Sequence, residues 1–169
     1  MKKLALAYIS RTGTTAEIVK TLERSLKEHG FEVEVMGVDE LVDVSAFDGI
    51  IIGAPINGMQ WLPEATECVQ RLSTSLKDKK TAFFAVSYIY KDGREVFRKG
   101  IRKTLSQPAW GFIPTKSTIF SGRIDKRMPG IVNFIFGIKK TEPLDLVDAQ
   151  KVKAWADELA VCFDGVGTP

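Results

Sequence analysis

Six consecutive residues, Gly49-Ile50-Ile51-Ile52-Gly53-Ala54, contain no polar side chain and three adjacent β-branched ones. An amphipathic helix or a half-wet strand would break such a run with polar positions. A continuous run fits a strand covered on both faces, as in a parallel sheet whose crossover helices lie on each side. Strand-like runs at Lys3–Ile9, Phe31–Val38, Thr81–Ser87 and Thr115–Phe120 alternate with helical patterns, and this alternation predicts a doubly wound α/β sheet. Phe31–Val35 alternates apolar with acidic residues, which places it at a sheet edge with one wet face.

The helical patterns repeat at about 3.6 residues. Ile18, Leu22 and Leu26 share one face of the first, which Gly30 stops. Pro63-Glu64 opens a segment to Leu76, with Ala65, Val69 and Leu72 on one side. Arg94–Leu105 follows an Asp92-Gly93 break. The last helix, about Leu146–Phe163, has Asp145 and Asp148 spaced like a capping box, followed by Val152, Trp155 and Leu159. With 169 residues, 44% hydrophobic and 27% charged, the chain is expected to be a single folded domain over 1–169.

Several classes are disfavoured. Met1-Lys2-Lys3-Leu4 runs straight into a strand without a cleavable apolar stretch, so a cytoplasmic setting is expected. Cys68 and Cys162 are too few for a disulfide framework and read as packed thiols. His29, just before Gly30, reads as a partner for a helix C-terminus rather than a catalyst. No metal site and no nucleic-acid partner are expected.

Chemistry concentrates first in Ser10-Arg11-Thr12-Gly13-Thr14-Thr15, between the first strand and an amphipathic segment beginning near Ala16. A helix N-terminus offers unpaired N–H groups and a positive dipole end, and is a natural anion site. Four hydroxyls add donors, and the glycine lets the backbone curl around a phosphate. The hexad lacks the lysine of a Walker loop and the spacing of a dinucleotide fingerprint. It predicts a small phosphate monoester held mostly by neutral donors; the competing reading is an ordinary turn with a threonine cap.

At Ser10, Thr12, Gly13 and Thr15 the hexad resembles the flavodoxin family, whose first loop reads Ser/Thr-x-Thr-Gly-x-Thr and wraps the phosphate of FMN. The resemblance implies a flavodoxin-like three-layer α/β/α sandwich with a five-stranded parallel sheet in the order 2-1-3-4-5. The ligand then lies where the winding reverses, outside the carboxyl ends of the strands. Three loops meet there. Besides the hexad, Pro55-Ile56-Asn57-Gly58-Met59 is expected to meet the inner face of the ring and its N5 edge, as the corresponding flavodoxin loop does. Its Asn-Gly pair tolerates left-handed backbone and presents main-chain groups. Trp61, just beyond, reads equally as a flanking aromatic or a core residue. Ser87-Tyr88-Ile89-Tyr90-Lys91 is expected on the opposite face, where an aromatic ring stacks on the isoalloxazine. Flavodoxins often place acidic residues after this tyrosine, whereas Lys91 follows here and would favour a reduced, negatively charged flavin.

Charge separates the chain into two parts. Residues 91–140 hold twelve Lys/Arg against three acids, a net of +9, leaving −6 on the remainder of a chain whose net charge is +3. Within this stretch, an insert at about 121–143 places an apolar core, Ile131–Ile138, between basic ends at 123–127 and 139–140. It is too short to span a bilayer, which takes about 20 residues. It suits an anionic membrane surface met through 123–140, or simply covers one end of the sheet. The layout is similar to the menaquinone-dependent protoporphyrinogen dehydrogenase group, a flavodoxin-like branch in which FMN takes electrons from the substrate and a quinone receives them.

The resemblance therefore implies an FMN-dependent oxidoreductase with a quinone or similar small acceptor, peripheral on the inner face of the membrane. The alternative is a non-enzymatic flavodoxin carrying electrons between redox proteins. A phospho-receiver on the same fold is disfavoured, because the positions that need acids hold Ser10 and Pro55.

Overall fold

The computed structural model describes residues 1–87, 95–124, 131, 134–135, 144–145 and 147–165. In chain order the elements are β1 (Lys3–Tyr8), α1 (Thr14–Glu28), β2 (Glu32–Gly37), β3 (Gly49–Asn57), β4 (Gln60–Trp61), α2 (Pro63–Leu76), β5 (Lys80–Ser87), α3 (Glu95–Lys103), β6 (Lys116–Ser121), β7 (Arg123–Ile124), β8 (Leu144–Asp145) and α4 (Ala149–Asp164).

The main sheet runs β2-β1-β3-β5-β6, all parallel, and the short β4 folds back antiparallel on the end of β3. This is the order expected from the resemblance, since β5 and β6 are the fourth and fifth parallel strands. The apolar run Gly49–Ala54 lies in the middle of the sheet and is fully buried. β2 is an outer strand, with Phe31 and Val33 turned inward and Glu32 and Glu34 exposed, as its alternation requires.

Because β side chains alternate, one buried sheet builds two cores. On one face, Ala5, Ala7, Ile50, Ile52, Phe83 and Ala85 meet Ala65, Cys68, Val69, Leu72 and Leu76 of α2. On the other, Leu4, Leu6, Ile51, Phe84 and Val86 meet Ile18, Leu22 and Leu26 of α1 and Val152, Trp155, Leu159 and Phe163 of α4. The result is three layers, α/β/α. Each fully buried Leu, Ile or Phe contributes about 1.5–3 kcal/mol, which makes these two interfaces the main source of stability.

The ends of several elements differ from the sequence reading, three of them with a clear physical reason. α1 begins at Thr14, two residues before Ala16, because left-handed Gly13 is its N-cap and the helix starts directly after it. β3 continues to Asn57 rather than ending at Ala54, because β4 pairs with Ile56 and Asn57 and extends the ladder. α4 begins at Ala149: the carboxylate of Asp148 accepts the N–H groups of Gln150 and Lys151, while Asp145 belongs to β8. The expected helix over Arg94–Leu105 is α3, described from Glu95 to Lys103.

Two lysines close the far end of α4. Lys2 Nζ donates to the carbonyls of Phe163 and Asp164 at 2.7 and 2.8 Å, and Lys80 Nζ donates to that of Cys162 at 2.8 Å. Cations at a helix C-terminus satisfy its orphan carbonyls and complement its dipole. His29 caps the end of α1 and its Nε2 lies 2.7 Å from Asp157 of α4, so it ties two helices together at their surface.

Candidate functional site

Parallel strands put their carboxyl ends on one side. β1 therefore opens into residues 9–13 beside the β3–β4 hairpin, and β5 ends at Ser87 on the same rim. Ile9 N–H donates to Gly53 O at 3.1 Å, which fixes the start of the first loop against β3.

The first loop has the features an anion cradle needs. Gly13 sits at φ 87°, the left-handed region that a side chain resists, and its carbonyl accepts the N–H of Glu17 at 3.0 Å to start α1. A Cβ at Gly13 would meet nothing within 4 Å, so the requirement for glycine is conformational and the space above the loop is open. The Gly13 N–H donates to Ser10 Oγ at 3.1 Å, and Thr12 Oγ1 lies 3.4 Å from Thr14 Oγ1. Thr14 and Thr15, in the first turn of α1, are buried. The N-cap residue is Gly13, which makes no side-chain cap, in contrast to Asp148 at α4, so a threonine does not cap this helix. First-turn N–H groups without a capping side chain, next to clustered hydroxyls, suit a phosphate. Arg11 is turned to another use: its guanidinium hydrogen-bonds the carboxylate of Glu64, the second residue of α2.

The second expected loop is a hairpin. Pro55, Ile56 and Asn57 are the end of β3, and the turn itself is Gly58-Met59, at φ 56° and 67°. Two consecutive left-handed residues make a tight turn matched to the strand twist. The Asn-Gly pair thus sits one residue earlier than a turn centred on Asn57 would place it. Met59 is the only non-glycine residue with positive φ among the described residues. Such backbone is strained for a methionine, and strain of this kind gathers at functional sites. Met59 and Ile56 pack on Ile101 of α3, which fixes that helix beside the hairpin.

Trp61 belongs to the core. It is 2% exposed, and its indole N–H is shared between the carbonyls of Ala54 and Phe84 at 3.1 and 3.2 Å. It packs against Phe83 and Trp110 with ring centroids 5.6 and 6.2 Å away. Both acceptors are main-chain atoms near the ends of β3 and β5, so Trp61 braces the rim from beneath.

Ser87 ends β5 with its hydroxyl buried and without a hydrogen-bond partner among the described residues. A buried hydroxyl left in this state costs free energy, which a ligand group at the rim would recover. Tyr88, Ile89, Tyr90 and Lys91 lie outside the described residues, as does most of the insert at 121–143. Of the insert, Ile131, Phe134 and Ile135 are helical and exposed at 70%, 76% and 50%. Its start, β7, pairs with β8 just beyond its end, and Arg123 in that stem meets Glu17 of α1 at 3.1 Å, close to the first loop. Among the described residues no helix is long and apolar enough to cross a membrane, and no group of three or more His, Cys, Asp or Glu is gathered as a metal would need.

Sequence reasoning took Glu64 only as a first-turn acid and gave Arg123 only a share in a basic stretch. Their partners, 53 and 106 residues away, carry no local signal.

A family model described as a flavodoxin domain matches residues 5–136. None of the curated proteins matches this chain. Among solved structures, a flavodoxin from the domain Archaea is similar at 13% identity and TM-score 0.57, covering 96% of this chain and 99% of its own. The oxidised Flavodoxin 2 of Bacillus cereus is similar at 20% identity and TM-score 0.55, covering 96% and 98%. The apo form of an NADH:FMN oxidoreductase, EMOB, is similar at 13% identity and TM-score 0.61, covering 96% and 90%.

Proposed function

Since this chain belongs to the flavodoxin-domain family, we propose that it is an FMN-binding oxidoreductase, passing electrons from a reduced substrate to a quinone or similar small acceptor. The observation that carries the FMN assignment is the opening of α1, where left-handed Gly13 leads into a first turn with no capping side chain. The solved structures that share the fold include flavodoxins and an NADH:FMN oxidoreductase, which agrees with redox chemistry on this scaffold.

FMN is the cofactor, and it supplies the exchange of electrons. Ser10, Thr12, Gly13, Thr14 and Thr15 hold its phosphate through hydroxyls and the N–H groups of α1. Pro55, Ile56, Asn57, Gly58 and Met59 face one side of the ring, with main-chain groups of the turn available at its edge. Ser87 supplies a hydroxyl at the rim. Tyr88, Ile89, Tyr90 and Lys91 are assigned to the opposite face of the ring, where Lys91 favours added negative charge. Arg11 stands in the first loop with its charge engaged by Glu64.

An oxidoreductase fits better than a carrier because of the charge near the site. α3, fixed against the hairpin through Ile101, carries Arg98, Lys99, Arg102 and Lys103 against one acid, Glu95, which pairs with Arg98 at 2.6 Å. A basic flank attracts anionic substrates or an anionic surface. The exposed Ile131, Phe134 and Ile135 follow i, i+3, i+4 spacing, which supports peripheral seating of the insert on an anionic membrane. A protoporphyrinogen-type compound is a fitting reduced substrate, as its carboxylates match the basic stretch.

The deciding experiment loads the protein with FMN, reduces it without oxygen, and offers a panel of quinones and redox proteins. Rapid oxidation of the reduced flavin by a quinone alone, one electron pair per flavin, is expected. Oxidation only through a protein partner would identify a carrier, and failure to bind FMN would overturn the reading altogether.

A further inference from the structure

We infer that Arg11 and Glu64 form a latch between the phosphate loop and the hairpin-and-α2 unit beside it, and that this pair governs how long a flavin mononucleotide is retained. The inference rests on the FMN reading above and concerns the same site.

The two residues belong to separate structural units. On one side, Arg11 lies between Ser10 and Thr12 in a loop closed by the Gly13 N–H on Ser10 Oγ. On the other, Glu64 is the second residue of α2, and α2 is rigidly joined to the hairpin. Leu62 N–H donates to Pro55 O at 3.2 Å, and the Trp61 indole holds Ala54 O at 3.1 Å. Contact between the Arg11 guanidinium and the Glu64 carboxylate therefore connects the phosphate loop to the Gly58-Met59 turn. These are the loops assigned to opposite ends of FMN, so parting them opens the path by which it leaves.

Chemistry favours a latch over direct phosphate binding by Arg11. A guanidinium already paired with a carboxylate must give up that partner before it can neutralise a phosphate. Glu64 in turn sits in the first turn of α2, where negative charge is favoured by the helix dipole. The cradle is left with uncharged donors. The pair is partly exposed, with 60% and 38% of the two side chains accessible, so its effect is modest.

The test measures FMN release from the loaded protein by recovery of free-flavin fluorescence, together with amide hydrogen exchange of the FMN-free protein at residues 10–16 and 57–60. Glu64→Gln and Arg11→Gln are each expected to speed release about three- to fivefold and to raise exchange in both loops. The exchanged pair, Arg11→Glu with Glu64→Arg, is expected to return both quantities to within about twofold of the original. The inference is overturned if Glu64→Gln leaves release unchanged or slower while Arg11→Gln speeds it, which would mean direct phosphate contact. It is equally overturned if the exchanged pair behaves no better than the single variants. If the unaltered protein does not hold FMN, the functional reading is what fails, and amide exchange still decides whether the latch exists.

Discussion

A Cβ on Gly53 would stand 1.9 Å from the ring of Phe84. The two residues lie side by side in β3 and β5, and the phenyl group occupies the space that any other residue at 53 would fill. That ring also packs edge-on against Phe120 and Trp155, at 5.7 and 5.8 Å between centroids, so it cannot withdraw cheaply. Gly53→Ala is expected to destabilise the protein by about 1–3 kcal/mol through overpacking. Phe84→Leu in the same chain should recover part of that loss. Urea unfolding followed by circular dichroism measures both; an unchanged midpoint in Gly53→Ala would contradict the packing argument.

Trp61 offers a second check, on the brace beneath the rim. Trp61→Phe keeps an aromatic ring but removes the donor shared by Ala54 O and Phe84 O. A loss of about 1–3 kcal/mol is expected from the missing hydrogen bonds and the smaller ring. FMN affinity should fall less than stability does, because the indole is buried and its N–H is spent on main-chain carbonyls. Flavin titration alongside urea unfolding separates the two effects.

The cradle itself is tested by Thr12→Val with Thr15→Val. Hydrogen bonds to a charged group contribute about 1.5–3 kcal/mol each, so FMN should bind at least about tenfold more weakly. Gly13→Ala should act through the backbone instead. Left-handed geometry costs a non-glycine residue about 1–2 kcal/mol and would misdirect the first-turn N–H groups. Riboflavin, which lacks the phosphate, should be affected far less than FMN by either change. Equal losses for the two flavins would place the phosphate elsewhere.

The cysteines predict a pH effect. Burial pushes the Cys68 thiol up from its ordinary value, against a smaller opposing influence from Arg71. A thiol that ionises less readily when folded than when unfolded stabilises the fold less as pH rises past the ordinary thiol range. Stability should therefore decline from about pH 8.5 upward, and Cys68→Ala should flatten that decline. At pH 8 a thiol reagent should modify half-buried Cys162 first and reach Cys68 only on unfolding. Rapid labelling of both in the folded protein would contradict this account.

Local pattern in the sequence determined the architecture. The unbroken run Gly49–Ala54 required a central parallel strand, the alternation after Phe31 required an edge, and the spacing of Ile18, Leu22 and Leu26 required an inward helical face. These signals are readable because strand and helix periods fix which side chains share a face. The loop proposed as the cradle was legible for the same reason, since Ser10–Thr15 is contiguous and its setting between β1 and α1 follows from the pattern on either side. Tertiary structure alone decided what met across the chain. It turned Trp61 into the core, paired Arg11 with Glu64 and Arg123 with Glu17, and made Gly58-Met59 the turn by adding β4 to β3. It also gave the cap of the last helix to Asp148 and drew Asp145 into a strand. Such contacts depend on how distant segments are brought together by the packed sheet, and residues that meet only in space leave no mark on one another in sequence.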